Sequence, residues 1–343
     1  MNRLYYGDNL TIMQEMESAS VDLIYLDPPF NSNRDYHAIY KSETGRPINA
    51  QVVAFTDQWE YTARTEAASK ELPHAMAAVG IDGTWWLGLA SMLRASDPPL
   101  LAYLTYMTER LIIMRRLLKP TGSLYLHCDD EAVHYLKIVL DGIFGRTNFR
   151  NQIAWQRIKG AGKRSQHGIK NYGRSSDILL FYSAGKTYTF NAQAISLLYA
   201  DIEKSFPFTD KKGRYKRRSP FRPPGLGPRP NLCYEYKGVF PPHPSGWTVK
   251  ESKLAALDKA GELEWIGQKP WRKQRPSSGI VPNNIWTDIN PPSKSERLGY
   301  PTQKPLKLLD RIIKASSNEG DLVLDPFCGC ATTIEAAHRL NRR

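Results

Sequence analysis

Short apolar runs alternate with helical periodicities over roughly the first 149 residues. Val21-Asp22-Leu23-Ile24-Tyr25-Leu26 is too continuous for a half-exposed strand and too short for a helix, which predicts a buried strand. Arg3–Gly7 reads as a shorter strand before it and Leu10–Met16 as a helix. Leu104, Met107, Leu111, Met114 and Leu118 recur at helical spacing, so a long helix covers 101–118 and stops at Lys119-Pro120, where proline cannot continue it. Strand Ser123–His127, helix Glu131–Ile143 and strands Asn151–Trp155 and Asp177–Tyr182 follow. Near the end, Asp321–Leu324 predicts another buried strand, with a helix over Ala331–Leu340 after it. This alternation predicts an α/β fold whose parallel sheet is covered on both faces.

Two stretches break the pattern. Residues 31–100 are polar with scattered aromatics (Trp59, Trp85, Trp86) and too long for an ordinary connection. They read equally as an arm over the site or as small helices packed on the core. Asp97-Pro98-Pro99 within them reads as a helix start, with Ser96 or Asp97 capping and proline in the first turn. Residues 184–289 are dense in turn formers, such as Pro223-Pro224-Gly225 and Pro241-Pro242-His243-Pro244. They predict an irregular inserted lobe with one short helix around Lys250–Lys259, which divides the chain into 1–183, 184–289 and 290–343.

Charge sharpens this division. The chain carries a formal net charge of +13, and residues 150–310 hold 29 Lys/Arg against 12 Asp/Glu. The excess cations therefore sit in the middle, interleaved with aromatics. Arg157, Lys159, Lys163, Arg164, Arg214, Lys216, Arg217, Arg218, Arg272 and Lys273 are the candidates for holding nucleic-acid phosphates while neighbouring rings stack on bases. A solvated basic face is the plainer alternative. The Cys residues number four and are too scattered for a disulfide framework or a zinc pattern, so no metal is expected. The N-terminus lacks a secretory h-region and no apolar run approaches the length of a membrane span, which makes the cytoplasm the expected compartment.

The chemistry concentrates in two motifs that each follow a predicted strand. Asp27-Pro28-Pro29-Phe30 combines a carboxylate with a turn lacking N–H donors and an aromatic face. That set suits a planar base whose amino nitrogen must have its lone pair drawn out of conjugation by acceptors aimed at its N–H groups. Asp325-Pro326-Phe327-Cys328-Gly329-Cys330 provides small residues where backbone must approach a ligand, ahead of a helix N-terminus suited to a carboxylate. No Gly-x-Gly-x-x-Gly occurs, which argues against a nicotinamide site. His127-Cys128-Asp129-Asp130 reads as loop capping at a strand end, with a positioning role as the alternative.

The chain resembles the beta class of DNA amino-methyltransferases, in which the catalytic motif comes first, target recognition lies in the middle and the cofactor loop comes last. Gly7-Asp8-Asn9-Leu10, Asp27-Pro28-Pro29-Phe30-Asn31-Ser32, Asn151–Trp155, Gly299-Tyr300-Pro301-Thr302-Gln303-Lys304-Pro305 and Asp325–Thr333 carry the resemblance. It implies a Rossmann-like, doubly wound methyltransferase sheet with a basic target-recognition insertion, and S-adenosylmethionine as methyl donor. Asp27, Pro28, Pro29 and Phe30 are implied as catalytic. Asp8, Asn9, Asp27, Thr302, Gln303, Lys304, Asp325, Pro326, Phe327, Cys328, Gly329 and Thr332 are implied around the cofactor, with Asp8 near its adenine and Thr302 to Lys304 flanking its methionine end. The leading aspartate implies adenine-N6 as target, where cytosine-N4 enzymes tend to carry serine. Cytosine-N4 transfer and a silent DNA-binding protein of the same fold are the alternatives. Double-stranded DNA is the expected partner, joined by a second copy or a restriction-system subunit. Two departures stand out. The loop carries Cys330-Ala331 where the family more often has a further glycine. The family's next strand, with an acid for the cofactor ribose, has no counterpart before Arg343, so either the chain is a fragment or the ribose finds another ligand.

Overall fold

Val21–Leu26 is buried at every residue, as a strand covered on both faces must be. In the computed structural model, residues 2–29, 35–37, 53–56, 59–158, 170, 172–192, 205–276, 282–300 and 302–343 are described. In chain order these form α1 (Asn9–Gln14), β1 (Val21–Leu26), β2 (Asp35–His37), β3 (Val53–Thr56), α2 (Ala63–Ala78), α3 (Thr84–Ser96) and α4 (Pro98–Leu117). Next come β4 (Leu118–Cys128), α5 (Val133–Phe144), β5 (Phe149–Gln156) and β6 (Ser176–Ser183). The remainder comprises β7 (Phe208–Asp210), β8 (Gly213–Arg218), α6 (Glu251–Lys259), β9 (Leu263–Ile266), β10 (Lys269–Gln274), β11 (Ile285–Trp286), α7 (Leu306–Ser316), β12 (Val323–Leu324) and α8 (Thr332–Arg339).

The chain falls into two compact units, 1–195 with 282–343, and 196–281. The first is built on a six-stranded sheet of order β11-β5-β6-β4-β1-β12. All neighbours run parallel except β6, which is antiparallel to both β4 and β5. One face packs Ile24, Leu26, Leu124, Leu126 and Leu180 against α2 to α5. The other packs Leu23, Tyr25, Tyr125, Trp155 and Leu179 against α7 and α8. The side-chain period of two along each strand produces these two cores. The motif-bearing segments after β1 and β12 leave adjacent parallel strands at the same edge, where open α/β sheets take their ligands.

Between β3 and β4 the chain packs as helices. Leu72, Met76, Trp86 and Leu93 are buried in the first core, and Trp86 Nε1 donates to the Ser69 carbonyl at 3.0 Å. Of the two readings of 31–100, the described helical portion is packed helix and no arm; residues 31–34, 38–52 and 57–58 lie outside the described residues. Asp97 caps α4, its carboxylate accepting from Leu100 N at 3.1 Å, with Pro98 at the first turn. The expected strand at Arg3–Gly7 is not formed. Leu4, Tyr5 and Tyr6 are exposed and unpaired in any ladder.

The second unit carries more order than an irregular lobe. It holds an antiparallel four-stranded sheet, β7-β8-β10-β9, and a core of Trp247, Leu254 and Leu263. Trp247 is fully buried, its Nε1 donating to the Tyr234 carbonyl at 2.7 Å.

Candidate active site

A cavity of ≈ 740 Å³ opens at the sheet edge of the first unit, a size that accommodates a nucleoside-bearing ligand. Asp27, Pro28 and Pro29 line it, as do Asp8, Asn9, Thr302, Gln303, Lys304 and the loop Asp325–Cys330 with Thr332. Sites predicted from opposite ends of the sequence are thus brought together. Phe30 lies outside the described residues.

At one end the Asp27 carboxylate is divided between two environments. Lys304 Nζ donates to Oδ2, and Oδ1 is buried with no hydrogen-bond partner. A buried carboxylate oxygen without a donor is costly to maintain, so Oδ1 is an acceptor reserved for something that enters the cavity. Lys304 also reaches the Thr302 carbonyl at 3.4 Å.

The loop after β12 forms the adjoining wall. Asp325 Oδ1 accepts from Phe327 N at 3.0 Å and Oδ2 from Thr333 Oγ1 at 2.5 Å. Desolvation first, with the nearby charge of Asp27, pushes the Asp325 carboxyl up to about 7, against the pull of these two donors and of Lys304. Gly329 adopts φ +50, and a Cβ there would meet Tyr300 Cε1 at 3.3 Å. Both facts favour glycine and let the loop backbone face the cavity. Ala331, the N-cap of α8, is also left-handed at φ 64 and offers no side-chain cap. The first-turn N–H groups of α8 therefore remain available for an anion.

The far end is aromatic, and Trp59, Tyr106 and Arg110 join the expected Asp8, Asn9 and Phe327 there. Trp59, Tyr106 and Phe327 pack in succession, with ring centroids 4.7 Å and 6.4 Å apart, and the Arg110 guanidinium sits 3.4 Å from the Tyr106 centroid. Arg110 is 4% exposed. Its Nε donates to Asn9 Oδ1 at 2.7 Å and its NH2 to Asp8 Oδ1 at 2.9 Å. Asn9 in turn donates to the Pro326 carbonyl at 2.9 Å, which ties the start of α1 to the cofactor loop. The available signal for Arg110 was a lone cation on the buried stripe of the long helix.

Several predicted residues have other duties. Gln303 reaches the cavity, yet its amide is engaged by backbone, Nε2 donating to the Glu296 carbonyl and Oε1 accepting from Leu298 N, both at 2.8 Å. It shapes the loop before α7. Among the basic candidates, Arg217 is held by Glu264 through two donors at 2.9 and 2.7 Å, and Lys273 by Asp210 at 2.7 Å. These two members of the basic cluster are balanced inside the small sheet by acids 47 and 63 residues away. Arg218 donates only to a neutral partner, Gln274, at 2.9 Å, and shares its face with Arg214, Lys216 and Arg272 by strand alternation and register. Arg157 pairs with Asp177 at 3.2 Å. Lys159, Lys163 and Arg164 lie outside the described residues. Among the described residues no cluster of His, Cys, Asp and Glu could hold a metal, and no helix is long and apolar enough to cross a membrane.

Comparison with known proteins finds similarity to DNA methyltransferases. M.EcaI, a Type II methyltransferase of Enterobacter cloacae, is 36% identical over 247 residues, covering 71% of this chain and 53% of that protein. The Mod subunit of the Type III restriction-modification enzyme StyLTI of Salmonella typhimurium is 27% identical, covering 99% of this chain and 50% of that protein. The solved PvuII DNA methyltransferase, cytosine-N4-specific, aligns at TM-score 0.47 and 12% identity, covering 99% of this chain and 78% of its own. The chain spans about half the length of the curated relatives it matches. The profile of the DNA methylase family matches residues 21–343, and with both of its signature segments lining one cavity, the chain belongs to that family.

Proposed function

We propose that the chain transfers a methyl group from S-adenosylmethionine to the N6 amino group of adenine in DNA. The observation that carries this reading is the partnerless Asp27 Oδ1, a buried acceptor in the same cavity as the loop Asp325–Cys330. The residues present fit the cofactor. Asp8, Asp27 and Asp325 bring carboxyl groups to the cavity, the first two paired with Arg110 and Lys304, Trp59, Tyr106 and Phe327 offer stacking faces for its adenine, and the open N-terminus of α8 suits its carboxylate. When bound, it supplies an electrophilic methyl on a positively charged sulfur.

Asp27 Oδ1 accepts a hydrogen bond from the adenine amino group, which turns the nitrogen lone pair out of conjugation and toward the methyl. The cofactor would supply the methyl and leave as a neutral thioether, and the same oxygen would take the proton that the amino nitrogen sheds. Lys304, paired to Oδ2, holds the carboxylate in place. The leading aspartate of the motif favours adenine through the resemblance it carries. Double-stranded DNA, a restriction-system partner or second copy, and a cytoplasmic setting belong to this proposal, as does a target-recognition role for the basic second unit.

Labelled S-adenosylmethionine with unmethylated genomic DNA tests it, with Asp27→Ala alongside and the product nucleoside identified after digestion. N6-methyladenine from the parent and none from the variant is expected. Label in cytosine would reassign the target, and absence of transfer with DNA still bound would mark a binding protein.

A further inference from the structure

Arg110 is a costly residue where it stands. It is one of the buried residues of α4, its side chain is 5% exposed, and its helix neighbours Met107, Leu111 and Met114 belong to the first core. A buried guanidinium needs acceptors for its N–H groups. NH1 finds one inside α4, the Tyr106 carbonyl at 3.2 Å. The other two come from the distant start of α1: NH2 donates to Asp8 Oδ1 at 2.9 Å and Nε to Asn9 Oδ1 at 2.7 Å. For stability alone an apolar side chain of similar volume generally serves as well, so these two long-range bonds are the feature to explain.

Each bond fixes an orientation. A guanidinium only donates, so the Asn9 atom that meets it is the amide oxygen, which leaves Nδ2 to donate to the Pro326 carbonyl at 2.9 Å. That amide cannot flip without losing both bonds. At Asp8, the guanidinium and the Leu10 N–H both take Oδ1, at 2.9 Å each. Among the described residues no donor reaches Oδ2, and the Asp8 side chain is 58% exposed where it lines the cavity. One carboxylate oxygen is thus committed to the protein and the other is open.

The open oxygen belongs to the same end of the cavity as Trp59, Tyr106 and Phe327, whose rings suit a planar base. Adenine carries an exocyclic amino group, which donates; hypoxanthine carries a carbonyl in its place, which only accepts. A carboxylate held still accepts from the first and repels the second, whereas one free to turn away discriminates poorly.

We propose that Arg110 is a positioning residue that sets the site's selectivity for an amino-bearing purine, by holding Asp8 with Oδ2 toward the base. This rests on the cofactor named in the function above and adds the residue that gives its base selectivity.

The test is calorimetry on the full chain with S-adenosylhomocysteine and with S-inosylhomocysteine, in which a carbonyl replaces the amino group. The unaltered protein prefers the adenosyl ligand by about 100-fold or more. Arg110→Met lowers that preference by about tenfold or more, because the adenosyl ligand loses a well-placed charged acceptor while the inosyl ligand is relieved of repulsion. Asp8 is largely solvated, so the variant strands no buried acid and melts close to the parent. A merely structural role weakens both ligands together, and an unchanged ratio in folded Arg110→Met overturns the inference. If that variant does not fold, Arg110→Lys, which keeps the charge without the planar fork, takes its place; a smaller fall in the ratio is then expected, and a parent-like ratio overturns the inference. Asp8→Asn gives an independent arm: it abolishes most of the preference alone, and adding Arg110→Met lowers the ratio no further. A further fall of tenfold in the double variant overturns the route through Asp8. If the unaltered protein binds neither ligand and transfers no methyl, the reading beneath fails and the inference falls with it. If it transfers methyl but binds both ligands equally, the inference alone fails.

Discussion

Asp325 shows what a single carboxyl at this site does to pH dependence. Its folded pKa, pushed up to about 7, exceeds the ordinary value near 3.8. The stability it contributes is therefore fully present below about 4 and declines as pH rises toward about 7, because the unfolded chain ionises first. A cationic cofactor reverses the preference by favouring the ionised carboxyl, so its binding expels a proton in that range. The dissociation constant for S-adenosylmethionine should tighten between pH 6 and 8, by at most about tenfold per unit for one proton, and Asp325→Asn should flatten the profile; calorimetry in buffers of different ionisation enthalpy reads both. Ala331 provides a second test. Its left-handed backbone, φ 64, costs a side chain roughly 1–2 kcal/mol, of which glycine returns part to unfolded-chain entropy. Ala331→Gly should raise the denaturant midpoint by up to about 1 kcal/mol in stability without changing the slope. Asp27 and the Asp325–Gly329 loop were legible because their chemistry is local in sequence. Arg110 and Tyr106 were not, since on a helix they read as ordinary buried positions until Asn9 and Phe327 arrive from distant segments.

At the scale of elements, legibility followed period and punctuation. α4 was readable from its apolar spacing and from Asp97-Pro98, and the observed cap confirms the mechanism. α2 and α3 were ambiguous for a physical reason. α2 buries only Ser69, Leu72 and Met76 and carries Pro73 within it, so its apolar stripe is thin and interrupted. The stripe is completed by α3, where Trp86 is wholly buried and hydrogen-bonded to Ser69. Removing that ring opens a cavity in the first core and leaves the Ser69 groups without their donor. Trp86→Ala should destabilise the first unit by about 3–5 kcal/mol, measured by chemical denaturation. Capping is a smaller term: Asp97→Ala should cost about 0.5–2 kcal/mol. The small sheet of the second unit escaped for the opposite reason. β8 and β10 alternate faces, but both faces are polar, and the partners that balance them, Asp210, Glu262 and Glu264, lie across the sheet.

For the whole molecule, net charge overstates the surface available to DNA, and the small sheet shows how. Arg217, Lys273 and Arg275 are each paired with Asp210, Glu262 or Glu264, and a cation balanced within the fold releases few counterions when a phosphate approaches. Arg218 shares the opposite face with Arg272, its register partner, and its side-chain bond goes to neutral Gln274. The two sets thus make opposite predictions within one element. Replacing Arg218 and Arg272 together with Ser should leave S-adenosylhomocysteine binding and melting nearly unchanged. The slope of log affinity against log salt should fall by about 0.9 for each phosphate that is no longer neutralised. Replacing Arg217 with Ser should instead strand Glu264 and lower the melting temperature with little change in slope. Fluorescence anisotropy on duplex DNA across a salt series, with melting curves for each variant, separates the cases. Equal slopes for all variants would mean that DNA meets the protein elsewhere, whereas a fall confined to the Arg218 and Arg272 variant would assign that face of the sheet to the duplex.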